Sequence, residues 1–129
     1  MFYVYPHTVQ TSEIITAPKR IDMELSAGVI HQVDILFEDG CNYDCGVQIW
    51  RGGQQLWPSN RGSYFVGNAS VVSFREYEEL TKAKNDLYAL LWGDGIITDV
   101  QIAIQIGVLP KTVLQPMSFE ELLLAAQME

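Results

Sequence analysis

The stretch "DVQIAIQIGVL", residues 99–109, decides the fold, because apolar side chains alternate with polar or small ones along its whole length. The apolar set consists of Val100, Ile102, Ile104, Ile106 and Val108. Successive side chains of a β-strand point to opposite faces of the sheet, so this alternation predicts a strand with one buried face. We therefore expect a protein built on β-sheets, with this strand over its core.

Further strands are predicted around this one, at residues 21–25, 29–38, 71–80 and 86–92. On the second of them, the predicted inward face holds Val29, Val33, Ile35 and Phe37, with His31 in register with them. The last is apolar on both of its faces, which predicts either a central strand of a sandwich or part of an interface.

A tight hairpin is predicted in "VQIWRGGQQLW", residues 47–57, where two short β-prone runs flank Gly52 and Gly53. Glycine tolerates positive φ, which suits a two-residue type I′ turn. If Arg51 pairs with Gln54 across this turn, the register of the whole hairpin is fixed, because each step along a strand changes the face on which a side chain lies.

That register places Ile49 opposite Leu56 on the inner face and leaves two tryptophans, one on each strand, on the outer face. Exposed aromatic rings with amide and guanidinium donors nearby are suited to stacking on sugar rings. The candidate contacts for a glycan are Trp50, Trp57, Arg61 and Tyr64. The same residue types are also frequent in protein interfaces or in a second packed layer, so both alternatives stay open.

About seven or eight short strands, with turn signals every 8 to 12 residues or so, predict an all-β fold, an antiparallel β-sandwich of jelly-roll or immunoglobulin-like type. The sandwich is expected to cover residues 19–110. Residues 1–18 are expected to form an extended N-terminal arm, and residues 111–129 a linker followed by a short amphipathic C-terminal α-helix.

Both ends of the chain carry apolar residues that suit contacts with a partner. The arm is rich in aromatic residues and is interrupted by Pro6 and Pro18. In the last segment, Ser118 and Glu121 form a capping box, which predicts the start of a helix. The expected partner contacts are Phe2, Tyr3, Val4 and Tyr5 in the arm and Phe119, Leu122 and Leu123 in the helix. These segments dock either on their own sandwich or on a neighbouring subunit.

The composition limits the classes of protein to which the chain can belong. Its 129 residues are enough for one domain with a buried core, and 48% hydrophobic residues exclude intrinsic disorder. Sixteen acidic against 8 basic residues give a net charge of −8, which argues against a nucleic-acid partner. The first ten residues, "MFYVYPHTVQ", predict neither a signal peptide nor a membrane anchor, so no membrane partner is expected.

The two cysteines, Cys41 and Cys45, lie in a loop that also holds Glu38, Asp39, Asn42 and Asp44. The C-x-x-x-C spacing, with no second cysteine pair, is not that of a zinc site. Four residues of extended strand span roughly 13 Å, whereas the Cα atoms of a disulfide lie within about 7 Å, so a bridge requires a tight loop. We expect Cys45 to be a small buried residue at a strand start, and no metal or cofactor, although the oxygen donors leave calcium open.

No candidate catalytic group stands out from the sequence. His31 has no evident nucleophile beside it, and Glu76, Glu78 and Glu79 are expected to form the solvated face of a strand. We therefore expect a protein that is not an enzyme and has no catalytic residues.

Three segments carry a resemblance to a known group of proteins: "GVIHQVDILFEDGC", "IWRGGQQLWPSN" and "VQIAIQIGVLP". They resemble small, uncharacterised β-sandwich proteins encoded among the structural genes of tailed bacteriophages and related prophages. The likeness covers roughly residues 28–110, and its most specific parts are Gly28 to His31, Gly40 with Cys41, and Gln55 to Asn60.

This resemblance implies a component of the virion, located on the capsid surface. The implied function is that of a capsid decoration, or cementing, protein, or another accessory protein, that stabilises the shell by contacts between subunits. The implied partner is a capsid or other virion protein, and the chain is expected to form a homo-oligomer, with a trimer favoured. The alternative is a carbohydrate-binding β-sandwich module that uses the exposed tryptophan and tyrosine residues named above.

Overall fold

The structure, a computed structural model, describes residues 1–81 and 86–110 and contains only β-strands as regular elements within them. In chain order the strands are β1 (Phe2–Val9), β2 (Lys19–Met23), β3 (Gly28–Phe37), β4 (Cys45–Arg51), β5 (Gln54–Trp57), β6 (Ser70–Leu80), β7 (Leu87–Gly93) and β8 (Val100–Leu109). The predicted C-terminal helix, with Phe119, Leu122 and Leu123, lies outside the described residues. In the part of the chain that is described, no helix is long and apolar enough to cross a membrane.

The strands form two antiparallel sheets of four strands each, as expected for a β-sandwich. The first sheet has the order β1-β8-β3-β6, and the second has the order β2-β7-β4-β5. Pairing is nested, since β1 pairs with β8, β2 with β7, β3 with β6 and β4 with β5. Buried apolar side chains from both sheets make one core between the two inner faces.

The stretch from which the fold was predicted is the strand β8, which lies between β1 and β3 in the first sheet. The inward residues predicted from its alternation are each at most 3% exposed: Val100, Ile102, Ile104, Ile106 and Val108. Strand β7 has the corresponding central place in the second sheet, between β2 and β4. Its two apolar faces are therefore those of a central strand.

The N-terminal segment is not a separate arm. Strand β1 pairs with β8 along its whole length. The hydroxyl of Tyr3 lies 2.7 Å from the hydroxyl of Ser26, and that of Tyr5 donates to the carbonyl oxygen of Glu24 at 2.7 Å. These bonds connect the edge of the first sheet to the segment after β2. The predicted boundary at residue 18 is thus corrected, because the first strand is an integral part of the sandwich.

The hairpin of β4 and β5 differs from the prediction in its register. Arg51 pairs with Gln54 as predicted, but a β-bulge shifts the register, and Ile49 lies opposite Trp57 instead of Leu56. Since one residue of shift reverses the faces, Trp57 points into the core and is 5% exposed. The prediction of an outward Trp57 is therefore wrong.

The turn of this hairpin also differs from the type I′ turn that was predicted. Gly52 has a φ of 55°, while Gly53 is outside the positive-φ region. A type I′ turn requires positive φ at both central residues. Of the two glycines, only Gly52 therefore adopts the positive φ that the prediction required of both.

A second bulge lies in β3, between Ile30 and Gln32. It turns Ile30 into the core and removes His31 from the row of apolar residues in which alternation had placed it. The imidazole of His31 instead packs edge-on against Phe2, with ring centroids 5.9 Å apart. The histidine consequently lies on the side of the sheet to which the exposed ring of Phe2 belongs.

Candidate interaction surfaces

The outer face of the first sheet carries a row of apolar side chains that crosses all four strands. We call it the outer row, and it consists of Pro6, Ala103, Leu36 and Val71. Pro6 pairs with Ala103, Ala103 with Leu36, and Leu36 with Val71, so the four residues lie side by side. Val71, at the end of the row, is 56% exposed. Contiguous apolar surface of this kind is typical of interaction sites.

Two of the four partner contacts predicted in β1 extend this apolar surface. Phe2 and Val4 are 67% and 54% exposed. Tyr3 and Tyr5 alternate with them, are half-buried, and are engaged by the hydroxyl contacts described above. The structure thus leaves Phe2 and Val4 available to a partner and uses the two tyrosines within the fold.

A hollow of about 550 Å³ lies on the same face, where the bulge of β3 meets β6. Its lining combines aromatic, acidic and basic side chains, which are Phe2, His31, Gln32, Asp34, Arg75, Glu76 and Tyr77. The carboxylate of Asp34 accepts hydrogen bonds from Gln32 at 3.0 Å and from the Ser73 hydroxyl. The Nε2 atom of His31 is buried and has no hydrogen-bond partner among the described residues. The hollow thus presents donors and acceptors beside an aromatic ring.

The outer face of the second sheet is a layer of stacked side chains. The ring of Trp50 stacks on Tyr88, with centroids 6.2 Å apart and planes inclined by 11°. The guanidinium of Arg20 lies over the same tyrosine, 3.8 Å from the ring centroid. The indole nitrogen of Trp50 donates to Gln48 at 3.1 Å. Trp50 is therefore half-buried within a packed layer, which was one of the two alternatives for this residue.

A second aromatic pair completes this layer. The ring of Tyr64 packs edge-on against Trp92 at 5.1 Å, and Trp92 in turn lies against Gly46, where a Cβ atom would overlap the indole. Arg61 is exposed in the loop that precedes Tyr64. The four predicted glycan contacts are not assembled into one platform, because Trp57 lies in the core while Trp50, Arg61 and Tyr64 lie on the outside.

An aromatic groove of about 320 Å³ opens between the edges of the two sheets, beside β5 and β6. We call it the edge groove, and its apolar lining consists of Trp57, Pro58, Phe65, Val72 and Phe74. The rings of Phe65 and Phe74 stack at 5.4 Å. Sequence reasoning missed this groove because it joins residues distant along the chain. The one available signal was the alternation of Val72 and Phe74 with Ser73 and Arg75.

The acidic loop is organised by its own backbone. The amide of Asp44 donates to the carbonyl of Cys41 at 2.8 Å, and Asn42 and Tyr43 between them have φ values of 51° and 61°. The carboxylate of Glu38 accepts a 2.6 Å bond from the amide of Gln101. Across residues 1–81 and 86–110, no group of three or more His, Cys, Asp or Glu side chains has the arrangement of a metal site.

Both cysteines are buried and unbridged, and Cys45 begins β4 as predicted. The tight turn brings their thiols into hydrogen-bonding contact. Burial, and secondly the neighbouring Cys41, raises the pKa of the Cys45 thiol to about 12. Burial likewise raises the pKa of Cys41. Since the thiolate is the reactive form, both side chains are poor nucleophiles at neutral pH.

Comparison with protein-family models and with curated proteins found no match to this chain.

Proposed function

We propose that the protein is a non-enzymatic structural protein of a virion, a capsid decoration or cementing protein that stabilises the shell through contacts between subunits. The observation that supports this proposal best is the outer row of the first sheet, together with the exposed Phe2 and Val4 beside it. A sheet face of this kind can bury apolar area against a flat partner surface, and such burial is the main favourable term in association.

The connectivity gives further support. Two four-stranded sheets with nested pairing are typical of the jelly-roll, whereas an immunoglobulin-like constant domain has one sheet of four strands and one of three. Viral capsid domains are among the proteins that use the jelly-roll. Proteins of many functions share a fold, so the jelly-roll connectivity supports only the proposed fold of a capsid protein. The support for binding to a partner comes from the apolar face.

The partner in this proposal is a capsid or other virion protein, and the location is the capsid surface. The chain carries a net charge of −8, which keeps the free protein soluble until it meets that surface. Adhesion then comes from the apolar face and from contacts between copies of the chain. The resemblance to phage structural proteins implies a homo-oligomer with three-fold symmetry.

Co-sedimentation with particles assembled from the major capsid protein of the same genome tests the proposal. We expect the purified protein to pellet with the particles, and the Val4→Lys variant, which places a charge on the apolar face, to pellet less. Gln54→Lys, at an exposed position on the other sheet, is a control for the added charge. Protein that stays in the supernatant at every particle concentration would contradict the proposal.

A second candidate, a carbohydrate-binding module, is favoured by the hollow beside Phe2, whose mixed donors and acceptors suit the hydroxyl groups of a sugar. Neither Trp50 nor Trp57 lines this hollow, so the glycan site of this second proposal does not include them. Calorimetric titration with neutral and acidic oligosaccharides checks it. Binding that is lost in Arg75→Ala and kept in Arg61→Ala would support the module, and no binding across the panel would exclude it.

A further inference from the structure

The two sheets have four edge strands among the described residues, β1 and β6 in the first sheet and β2 and β5 in the second. An edge strand presents unpaired backbone N–H and C=O groups, which are a template for pairing with another chain. Natural sheets protect such edges with proline, with lysine, with bulges or by keeping the strand short. The four edges of this protein differ in how far they are protected.

Three of the edges carry such protection. Strand β1 has Pro6 at its centre, and this proline supplies no N–H. Strand β2 is five residues long and begins with Lys19 and Arg20. Strand β5 is four residues long, is paired through a bulge, and is followed directly by Pro58.

Strand β6 is least protected over its first half, because its register shift against β3 and its acidic residues lie between Arg75 and Glu79. It is 11 residues long and contains neither proline nor lysine. Val71 and Tyr77 on this strand are 56% and 49% exposed. Within residues 1–81 and 86–110, no strand pairs with its outer edge. The edge groove opens directly beside it. A strand that paired with the backbone edge of β6 would therefore also contact the apolar side chains of Val72 and Phe74.

We propose that β6 is the interface for a second copy of this chain, which pairs with it antiparallel across a two-fold axis at Ser73. In a two-fold antiparallel pair, the residue on the axis lies opposite itself. An axis at Ser73 therefore places Val72 opposite Phe74 of the second copy, and Val71 opposite Arg75 of the second copy. Residues 70–76 of each copy pair, and the two four-stranded sheets become one continuous sheet.

Charge and length together select this register, because axes at Val71 or Val72 also oppose no like charges but pair only three or five residues of β6. An axis at Arg75 or at Glu76 would place two like charges directly opposite each other, and an axis at Tyr77 would oppose Glu76 to Glu78 twice. Like charges directly opposite each other destabilise a pair of strands. With the axis at Phe74, Val72 would lie opposite the Glu76 carboxylate. The axis at Ser73 opposes no like charges and puts apolar side chains together on the inner side.

The same arrangement closes the edge groove of each copy. Val72 and Phe74 line the groove. In the pair, Phe74 of the second copy covers Val72, and Val72 of the second copy covers Phe74. Aromatic and β-branched residues directly opposite each other are among the favourable cross-strand pairs. The interface thus combines backbone hydrogen bonds along the edge with apolar burial at the groove.

This inference deepens the proposed function, on which it rests for its biological setting, by naming one contact between copies. It differs from the three-fold symmetry that the resemblance implies. The mass in solution distinguishes a two-fold from a three-fold assembly. The residues whose substitution dissociates the assembly show which surface forms the contact.

The decisive experiment is light scattering over a concentration series on the full chain and three variants. Val71→Lys sets a positive charge opposite Arg75 of the second copy at two places, and we expect the dissociation constant of the dimer to rise about ten-fold or more. Adding Arg75→Glu to that variant restores opposite charges and should restore the dimer. Val4→Lys, with a similarly exposed valine on the opposite edge of the same sheet, should leave the dimer unchanged.

Each outcome separates this inference from the proposed function. A dimer lost in Val71→Lys and restored by Arg75→Glu supports the β6 interface, because a contact made by the outer row would not be restored by that second change. An oligomer that Val4→Lys weakens, and that Arg75→Glu does not restore in the Val71→Lys variant, overturns the β6 interface and supports the apolar face. A wild-type monomer at every concentration overturns the β6 interface, while co-sedimentation with capsids still tests the function.

Discussion

The indole of Trp57 packs edge-on against the ring of Phe74, with centroids 5.7 Å apart and planes inclined by 64°. Trp57 ends β5 in one sheet and Phe74 lies in β6 of the other, so this pair joins the two sheets at their open side. Nearby, Arg51 donates to Glu78 at 2.6 Å and connects β4 to β6. An aromatic contact and an ion pair thus hold the same side of the sandwich together.

Replacing Trp57 by alanine is expected to destabilise the protein strongly. The side chain is 5% exposed, and removal of a buried tryptophan leaves a cavity that costs about 3–5 kcal/mol. Urea unfolding followed by circular dichroism measures the loss. Trp50→Ala removes the same side chain from the half-buried outer layer, so its effect should be smaller. Equal losses in the two variants would contradict the inward orientation of Trp57.

Gly46→Ala is expected to destabilise the second sheet. The Cβ atom of an alanine at this position would overlap the indole of Trp92, two of whose ring carbons would lie 2.4 Å from it. Overpacking of this kind costs about 1–3 kcal/mol. Gly53→Ala is the matched control, because nothing lies within 4 Å of a Cβ atom there. Thermal unfolding of both variants checks the prediction, and an unchanged midpoint for Gly46→Ala would show that Trp92 does not occupy this position.

Tyr5→Phe tests whether β1 belongs to the sandwich. The change removes the 2.7 Å hydrogen bond from the tyrosine hydroxyl to the carbonyl of Glu24, and a bond of this type contributes about 1 kcal/mol. We expect a loss of that order in the free energy of unfolding, measured in urea. Tyr77→Phe removes the hydroxyl of an exposed tyrosine and serves as the control. If both changes had the same negligible effect, the N-terminal strand would be no more than an arm.

Much of the sandwich could be predicted from the sequence because period-two alternation is a direct consequence of strand geometry. The alternation of β8 identified its inward residues, and the two apolar faces of β7 marked a central strand. The cis docking of β1 could not be decided, since an aromatic extended segment has the same pattern whether it pairs with its own sheet or with a neighbour.

The two errors in side-chain orientation have one physical cause. A β-bulge adds a single residue to one strand and reverses every face beyond it, and no residue type marks the bulges in β3 and in the hairpin. His31 and Trp57 were therefore assigned to the wrong faces. The wrong face for Trp57 is a second reason why the edge groove was not predicted, because this tryptophan lines the groove.

The buried thiols are expected to make stability fall in the alkaline range. The pKa of Cys45 is raised from an ordinary value of 9.0 to about 12, so the folded chain holds the thiol proton where the unfolded chain has lost it. The contribution is complete below the unfolded pKa of 9.0 and is lost as pH rises toward about 12. Urea unfolding between these pH values should show a steeper fall for the wild type than for Cys45→Ala. Parallel curves would contradict the burial of this thiol.

Asn68→Ala is expected to loosen the loop that holds the acidic residues, because the side-chain oxygen of Asn68 accepts bonds from the amides of Gly40 at 2.9 Å and Asn42 at 3.0 Å. Two backbone donors would then lose their partner, at a cost of about 1 kcal/mol for each bond. The loop is thus ordered by backbone contacts, and the Glu38 carboxylate is engaged by the amide of Gln101.

The same geometry predicts that calcium does not stabilise the loop, because the oxygens of Glu38 and Asn68 are committed to backbone amides. Thermal unfolding with calcium and with a chelator should give the same midpoint for the wild type, while Asn68→Ala should unfold at a lower temperature in both. Asn60→Ala, which removes only an exposed contact to Ser63, should behave as the wild type. A midpoint that rises with calcium would mean that the oxygens of the loop leave the backbone to bind the ion, and would make residues 38–44 a cation site.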